Sequence, residues 1–101
     1  MATIQLDDKA LVSVRAIVAN NIDTSSWRPV IFGSRATGSA SRFSDIDLGF
    51  IGENRLPESA VSRLWEAFDE SDLPYVVDIV DLTTTSAEFR KVAEKNMVNL
   101  W

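Results

Sequence analysis

The chain has 101 residues, of which 46% are hydrophobic and 25% charged, the size and composition of one small globular domain. Its net charge of −5 argues against bulk electrostatic binding to nucleic acid or to an anionic membrane. The absence of cysteine and histidine excludes disulfides, thiol nucleophiles and imidazole ligands, so any metal ion must sit among oxygen atoms.

The sequence shows no sign of export or of a membrane span. Its N-terminus has neither the basic nor the apolar segment of a signal peptide. No apolar run approaches about 20 residues, the length that crosses a bilayer. We therefore expect a cytoplasmic protein, folded as one domain over residues 1–101.

The first half of the chain predicts a helix, a strand and a turn. Asp7 or Asp8 can cap a helix that runs to about Asn20, because apolar residues recur there at helical spacing. The short β-prone run Val30–Phe32 leads into the turn Gly33-Ser34 and a brief helical segment.

The second half predicts a strand, a helix, a strand and a helix. The strands are Asp45–Ile51 and Tyr75–Leu82. Pro57 suits the first turn of the intervening helix, and the capping box Thr85-Ser86-Ala87-Glu88 opens the last one. The apolar residues expected to face inward on these helices are Val61, Leu64, Trp65, Phe68, Phe89, Val92 and Ala93. The order αβ(α)βαβα predicts an α/β (α+β) fold, a small sheet with helices packed on it.

Two carboxylates open the second strand. Asp45 and Asp47 are two residues apart, so on a strand both point to the same face, opposite to Ile46 and Leu48. Neighbouring carboxylates repel, and a hard divalent cation such as Mg²⁺ is their natural partner. The Gly33-Ser34 turn offers backbone N–H groups and a hydroxyl that suit a phosphate. A phosphate cradle beside a two-carboxylate metal site predicts nucleotide chemistry.

Two stretches together form a longer motif, Gly33-Ser34-Arg35-Ala36-x-Gly38 and Ser44-Asp45-Ile46-Asp47-Leu48. This motif resembles that of the minimal nucleotidyltransferase (MNT) proteins of the DNA polymerase β-type nucleotidyltransferase superfamily. The resemblance implies a mixed sheet with carboxylates on one face. It also implies transfer of a nucleoside monophosphate, AMP from ATP, with one or two Mg²⁺ ions. MNT proteins often act as antitoxins that transfer AMP onto a helical HEPN toxin.

The resemblance further implies a third acid on a neighbouring strand, for which the sequence offers Asp78 and Asp81. Their separation of three places them on opposite strand faces, so only one can join Asp45 and Asp47. Asp78 lies among apolar residues, where an unpaired acid would be costly, whereas Asp81 lies near the strand end and can be solvated. We choose Asp78. Asp45 and Asp47 would hold both metal ions, and Asp78 would complete the second and help activate the acceptor hydroxyl.

The turn residues have functional and plainer interpretations. The resemblance implies that Gly33 and Ser34 bind the β- and γ-phosphates, and Arg35, which follows directly, is a further phosphate contact. Gly33 could instead be only a turn glycine, Ser34 only a helix cap and Arg35 only a surface charge. The same plain interpretations apply to Gly38 and Arg42.

The chain's length leaves no room for a domain that binds the acceptor, so we expect a HEPN-type helical partner and no nucleic acid. The apolar C-terminal residues Val98, Leu100 and Trp101 are predicted to form part of that contact. One alternative is a non-catalytic module that neutralises or complements a HEPN-type partner by contact alone. Another is the catalytic subunit of a two-protein nucleotidyltransferase with a different acceptor.

Overall fold

The computed structural model describes residues 4–37 and 44–101; Gly38 and Arg42 lie outside these ranges. The helices and strands are α1 Asp8–Asn21, β1 Trp27–Phe32, α2 Ser34–Thr37, β2 Ile46–Gly52, α3 Glu58–Glu70, β3 Val77–Asp81, α4 Ala87–Glu94 and β4 Val98–Asn99. The predicted alternation is confirmed, and β4 is an additional strand that the sequence pattern did not indicate. Within the described ranges, no helix combines the length and apolar character needed to cross a membrane.

The four strands form one mixed sheet in the order β3-β2-β1-β4. β1 is antiparallel to both β2 and β4, whereas β2 and β3 are parallel and are connected through α3. A parallel pair needs such a crossover connection, because the chain must return to the same end of the sheet before the next strand begins. The mixed sheet implied by the family resemblance is therefore present.

The two faces of the sheet carry different side chains. On one face, Ile31, Leu48 and Phe50 belong to the main core, together with buried residues of α1 and α3. On the other face, Phe32 belongs to a smaller cluster with residues from the end of β3 and from α4. Because side chains alternate along a strand, Asp47 lies on this second face, opposite to its neighbours Ile46 and Leu48.

Two helix starts are fixed by side-chain caps. The Asp7 carboxylate accepts a hydrogen bond from the Ala10 N–H (2.8 Å), which sets the start of α1. At α4 the Ser86 hydroxyl accepts from the Phe89 N–H (3.1 Å). The cap of α4 is therefore Ser86, one residue later than the start that the Thr85 capping box predicted.

Three side chains expected in the core are exposed. Trp65 is 45%, Phe89 44% and Val92 74% exposed. The buried stripe of α3 consists of Ala60, Leu64 and Phe68. Trp65 comes directly after Leu64 in the chain, so it points about 100° around the helix from Leu64 and lies outside the buried stripe. On α4 only Ala93 is buried, and Phe89 instead makes an edge-to-face contact with Phe32, with ring centroids 6.1 Å apart.

The C-terminal residues complete the sheet and the core. Val98 lies in β4, which pairs with β1. Leu100 is fully buried, its N–H donates to the Pro29 carbonyl (3.0 Å), and its carbonyl accepts from Arg15 Nε (2.7 Å). The predicted partner contact is therefore wrong for Leu100, which is buried in the core, whereas for the half-buried Val98 it stays a prediction. Trp101 remains 56% exposed.

Candidate functional site

Gly33 and Asp47 are in direct contact where β1 ends. Gly33 has φ +69°, in the left-handed region that favours glycine. A Cβ atom at this position would overlap Oδ2 of Asp47 and lie 3.2 Å from its Cγ. Glycine is therefore required at position 33 for two reasons: the left-handed backbone conformation and the carboxylate packed against it. The sequence indicated only the turn.

Ser34 is the first residue of α2 and is partly exposed. The first turn of α2 is closed by the Gly33 carbonyl, which accepts hydrogen bonds from the N–H groups of Ala36 (3.0 Å) and Thr37 (3.1 Å). The predicted helix start after the glycine turn is present. Gly33, which packs against the Asp47 carboxylate, is therefore followed directly by the start of α2.

Asp47 and Asp78 lie side by side on the parallel strands β2 and β3, where they are register partners. Asp45 is exposed and lies immediately before β2. Partial burial raises the pKa of Asp47, and the negative charges of Asp78 and Asp45 raise it further. The three predicted acids are thus close enough to interact, with Asp47 in the middle.

Asp81 has a different environment. Its carboxylate accepts hydrogen bonds from the N–H groups of Leu56 (2.9 Å) and Thr83 (3.0 Å), and its register partner is Phe50 on the core face. These bonds tie the loop before α3 to the end of β3. The strand parity that separated Asp78 from Asp81 in the sequence therefore holds in the structure.

Arg35 does not extend toward the turn as a phosphate contact. Its side chain is only 4% exposed. Nη1 donates to the Gln5 carbonyl (3.0 Å) and Nη2 to the Ser44 carbonyl (2.8 Å), while Cζ lies 4.6 Å from the centroid of the Tyr75 ring. This geometry does not support the predicted phosphate contact of Arg35, because the side chain is buried and both terminal nitrogens bind main-chain carbonyls. The surface-charge alternative is also wrong, since the residue is buried.

The acids suit a hard cation, although their side chains are not arranged around a single point. Within residues 4–37 and 44–101, no three acidic side chains converge as metal ligands. The available donors are carboxylate oxygens, which Mg²⁺ prefers, and the pKa of Asp47 is raised by partial burial and then by the charges of Asp78 and Asp45. Magnesium commonly takes only one or two protein carboxylates and completes its shell with water and substrate phosphate. The donor set therefore fits the ion that the sequence predicted.

Metal-holding carboxylates and a backbone turn that cradles phosphates recur in enzymes that transfer phosphoryl groups. Residues 28–101 match the family described as Polymerase beta, Nucleotidyltransferase. The chain belongs to that family. The matched region contains all six predicted site residues: Gly33, Ser34, Arg35, Asp45, Asp47 and Asp78.

The chain is similar to a protein adenylyltransferase and to chains in toxin–antitoxin structures. A probable protein adenylyltransferase, MntA of Haemophilus influenzae, is 45% identical over 94 residues, which cover 90% of this chain and 80% of that protein. A chain in the crystal structure of a toxin–antitoxin with AMP-PNP has a TM-score of 0.72 and 26% identity, over 90% of this chain and 72% of that one. A complex of tri-AMPylated Shewanella oneidensis HEPN toxin with MNT antitoxin matches with a TM-score of 0.63 and 21% identity, over 95% of this chain and 72% of that one, and shares the fold.

Proposed function

We propose that this chain is a Mg²⁺-dependent protein adenylyltransferase, the antitoxin of a HEPN-type toxin. The observation that carries the proposal is the pair Asp47 and Asp78, adjacent on parallel strands, with Gly33 packed against the first of them. The MntA relative, at 45% identity, is described as a probable protein adenylyltransferase. The toxin–antitoxin neighbour with AMP-PNP, at 26% identity, supports ATP as the nucleotide and a toxin as the partner. The cytoplasmic location expected from the sequence stays a prediction.

Each candidate residue has a defined role in this proposal. Asp45, Asp47 and Asp78 would supply carboxylate oxygens to the divalent cation, which needs only one or two of them at a time, and Gly33 and Ser34 would bind the terminal phosphates of ATP through the turn and the start of α2. When bound, Mg²⁺ neutralises phosphate charge and stabilises the negative charge that develops during transfer. Asp81 has no part in the chemistry, since its oxygens hold two backbone N–H groups.

The transfer step moves AMP to a hydroxyl group of the toxin. The hydroxyl oxygen forms a bond to the α-phosphorus of ATP, and the bond from that phosphorus to the bridging oxygen of the β-phosphate breaks. Pyrophosphate leaves. Asp78, on the strand next to Asp47, helps remove the proton of the attacking hydroxyl. The toxin supplies the acceptor.

The test is to incubate the purified chain with a HEPN-type toxin partner, Mg²⁺ and ATP labelled at the α-phosphate. We expect label on the toxin and its disappearance when Asp47→Asn replaces the wild type or when a chelator removes the metal. ATP labelled at the γ-phosphate is the matched control and should leave the toxin unlabelled. Label from the γ-phosphate would indicate a kinase and contradict the proposal. A toxin silenced equally by the wild type and by Asp47→Asn, without label, would favour neutralisation by contact alone.

A further inference from the structure

Arg35 is a buried cation whose partners in the structure are neutral groups. They are the carbonyl oxygens of Gln5 and Ser44 and the ring of Tyr75. Nε is also buried and has no hydrogen-bond partner among residues 4–37 and 44–101. Burying a charge is costly unless it is paired and fully hydrogen-bonded, so this arrangement is poor as a purely stabilising device.

The contacts of Arg35 connect the segments that carry the candidate site. Arg35 itself follows the Gly33-Ser34 turn on α2. Ser44, whose carbonyl it holds, is covalently joined to Asp45, and Tyr75 lies on the segment that leads into β3 and Asp78. The N-terminal segment is attached as well, because the Gln5 N–H donates to the Arg35 carbonyl (2.6 Å).

Asp45 and Asp47 are held in place by different means. Asp47 lies within β2 and is a register partner of Phe32 on one side and Asp78 on the other, so the sheet ladder fixes its position. Asp45 precedes the strand and has no partner in either strand register. On its C-terminal side the Ile46 N–H donates to the Val76 carbonyl (2.9 Å). On its N-terminal side the bond from Arg35 to the Ser44 carbonyl fixes the chain.

We propose that Arg35 is a positioning residue that sets where Asp45 stands relative to the Asp47–Asp78 pair, and thereby sets the affinity of the site for a divalent cation. It touches neither the cation nor the nucleotide. This inference rests on the proposed metal-dependent function. A group that orients a metal ligand typically changes metal affinity by about 10- to 100-fold when it is replaced.

The test measures Mn²⁺ binding to the full chain without nucleotide, by the electron paramagnetic resonance signal of free Mn²⁺. Arg35→Lys keeps the positive charge, but a single ammonium group cannot reproduce the two hydrogen bonds that the guanidinium donates to the Gln5 and Ser44 carbonyls. We expect Mn²⁺ to bind about 10- to 100-fold more weakly. Tyr75→Leu is the matched control, because it removes the ring and leaves both carbonyl bonds. It should lower the melting temperature and leave Mn²⁺ affinity unchanged.

A double-mutant cycle separates positioning from a general structural role. If Arg35 acts through Asp45, then Arg35→Lys should have no further effect on Mn²⁺ affinity in an Asp45→Asn background. Additive losses would overturn the inference, as would wild-type affinity in Arg35→Lys. If Arg35→Lys does not fold, Arg35→Gln is measured in its place. If neither variant folds, the role is structural and the inference is wrong. A wild-type chain that binds no Mn²⁺ would instead overturn the metal site, and with it the proposed function.

Discussion

Asp47 on β2 and Asp78 on β3 are register partners across the parallel pair of the sheet and face the same side. Partial burial raises the pKa of the Asp47 carboxyl, and the negative charges of Asp78 and then Asp45 raise it further. The repulsion is an unfavourable term in the metal-free fold that a bound cation would remove. The stability of the protein should therefore depend on pH, on the charges of these acids and on bound metal, and a change in one should alter the effect of the others.

The pH response follows from the raised pKa of Asp47. Because the folded state binds this proton more tightly than the unfolded chain, the contribution of Asp47 to stability falls as pH rises above the ordinary aspartate value of 3.8 toward the raised value. Below that window there is no penalty. In chelator, Asp47→Asn should therefore gain stability relative to the wild type as pH rises, measured by urea unfolding across a pH series.

Asp23 offers a control of opposite sign. Its pKa is lowered, chiefly by the Ser25 hydroxyl and then by that of Ser26. Its stabilising contribution is present above the ordinary aspartate pKa and is lost as pH falls through the lowered value, so Asp23→Asn should lose stability relative to the wild type as pH rises. Curves of the same sign for both variants would contradict this assignment.

Neutralising either acid at the start of β2 should abolish transfer without unfolding the protein. Asp45→Asn and Asp47→Asn each remove a proposed metal ligand that lies off the main core. We expect transfer to fall by at least about 100-fold, the scale on which loss of one electrostatic group slows an enzyme. Melting temperatures in chelator should not fall. Asp69→Asn, at an exposed position of α3, is the control and should transfer normally. Wild-type transfer by either active-site variant would contradict the proposed site.

Asp78 and Asp81 should show opposite effects on activity and stability. Asp78→Asn should reduce kcat by orders of magnitude and leave the fold intact. Asp81→Asn should keep kcat per folded molecule. It should cost about 1–3 kcal/mol of stability, because backbone N–H groups at Leu56 and Thr83 lose a charged acceptor. Denaturant unfolding and initial-rate assays on the same samples measure both quantities. A reversed pattern would mean that the third acid is Asp81.

Gly33→Ala should damage both the fold and the site. The left-handed backbone costs a non-glycine residue about 1–2 kcal/mol. The added Cβ must also displace the Asp47 carboxylate, so Mn²⁺ affinity should fall. Ser34→Ala is the matched comparison. It should leave Mn²⁺ affinity and stability nearly unchanged and weaken only triphosphate binding. Equal effects of the two variants on Mn²⁺ would argue against the contact between Gly33 and Asp47.

The two last residues should behave differently on truncation to alanine. Leu100 is fully buried, so Leu100→Ala should cost about 2–5 kcal/mol. Trp101 is 56% exposed, and Trp101→Ala should change stability little. Thermal unfolding of both variants is the measurement.

A chain ending at Asn96 should be strongly destabilised, since it lacks β4 and Leu100. If that truncated chain remained stable, the C-terminal strand would not belong to the fold.

The sequence predicted those features that short-range patterns encode. The alternation of elements, the glycine turn and the position of Asp47 off the main core face all follow from spacing within a few residues. Strand parity also separated Asp78 from Asp81, and the apolar neighbours of Asp78 led to the choice between them. By contrast, β4 has two residues and pairs with a strand far away in the chain, so no local period marks it.

The burial of Arg35 could not be predicted from the sequence either. Its partners are the Gln5 carbonyl near the N-terminus, the Ser44 carbonyl and the Tyr75 ring before β3, none of which a local pattern brings together. The exposure of Phe89 and Val92 was missed because helical spacing shows which residues share a face but not how much of that face a neighbouring element covers.

The pairing of β4 with β1 has a consequence for the order of folding. Residues 30 and 99 are neighbours in the sheet, although most of the chain lies between them. Closing so long a loop has a high entropic cost, which the two residue pairs of β4 can offset only once the rest of the sheet exists. We therefore expect β4 to join after the folding transition state. Stopped-flow kinetics should show that Leu100→Ala accelerates unfolding and leaves the refolding rate nearly unchanged.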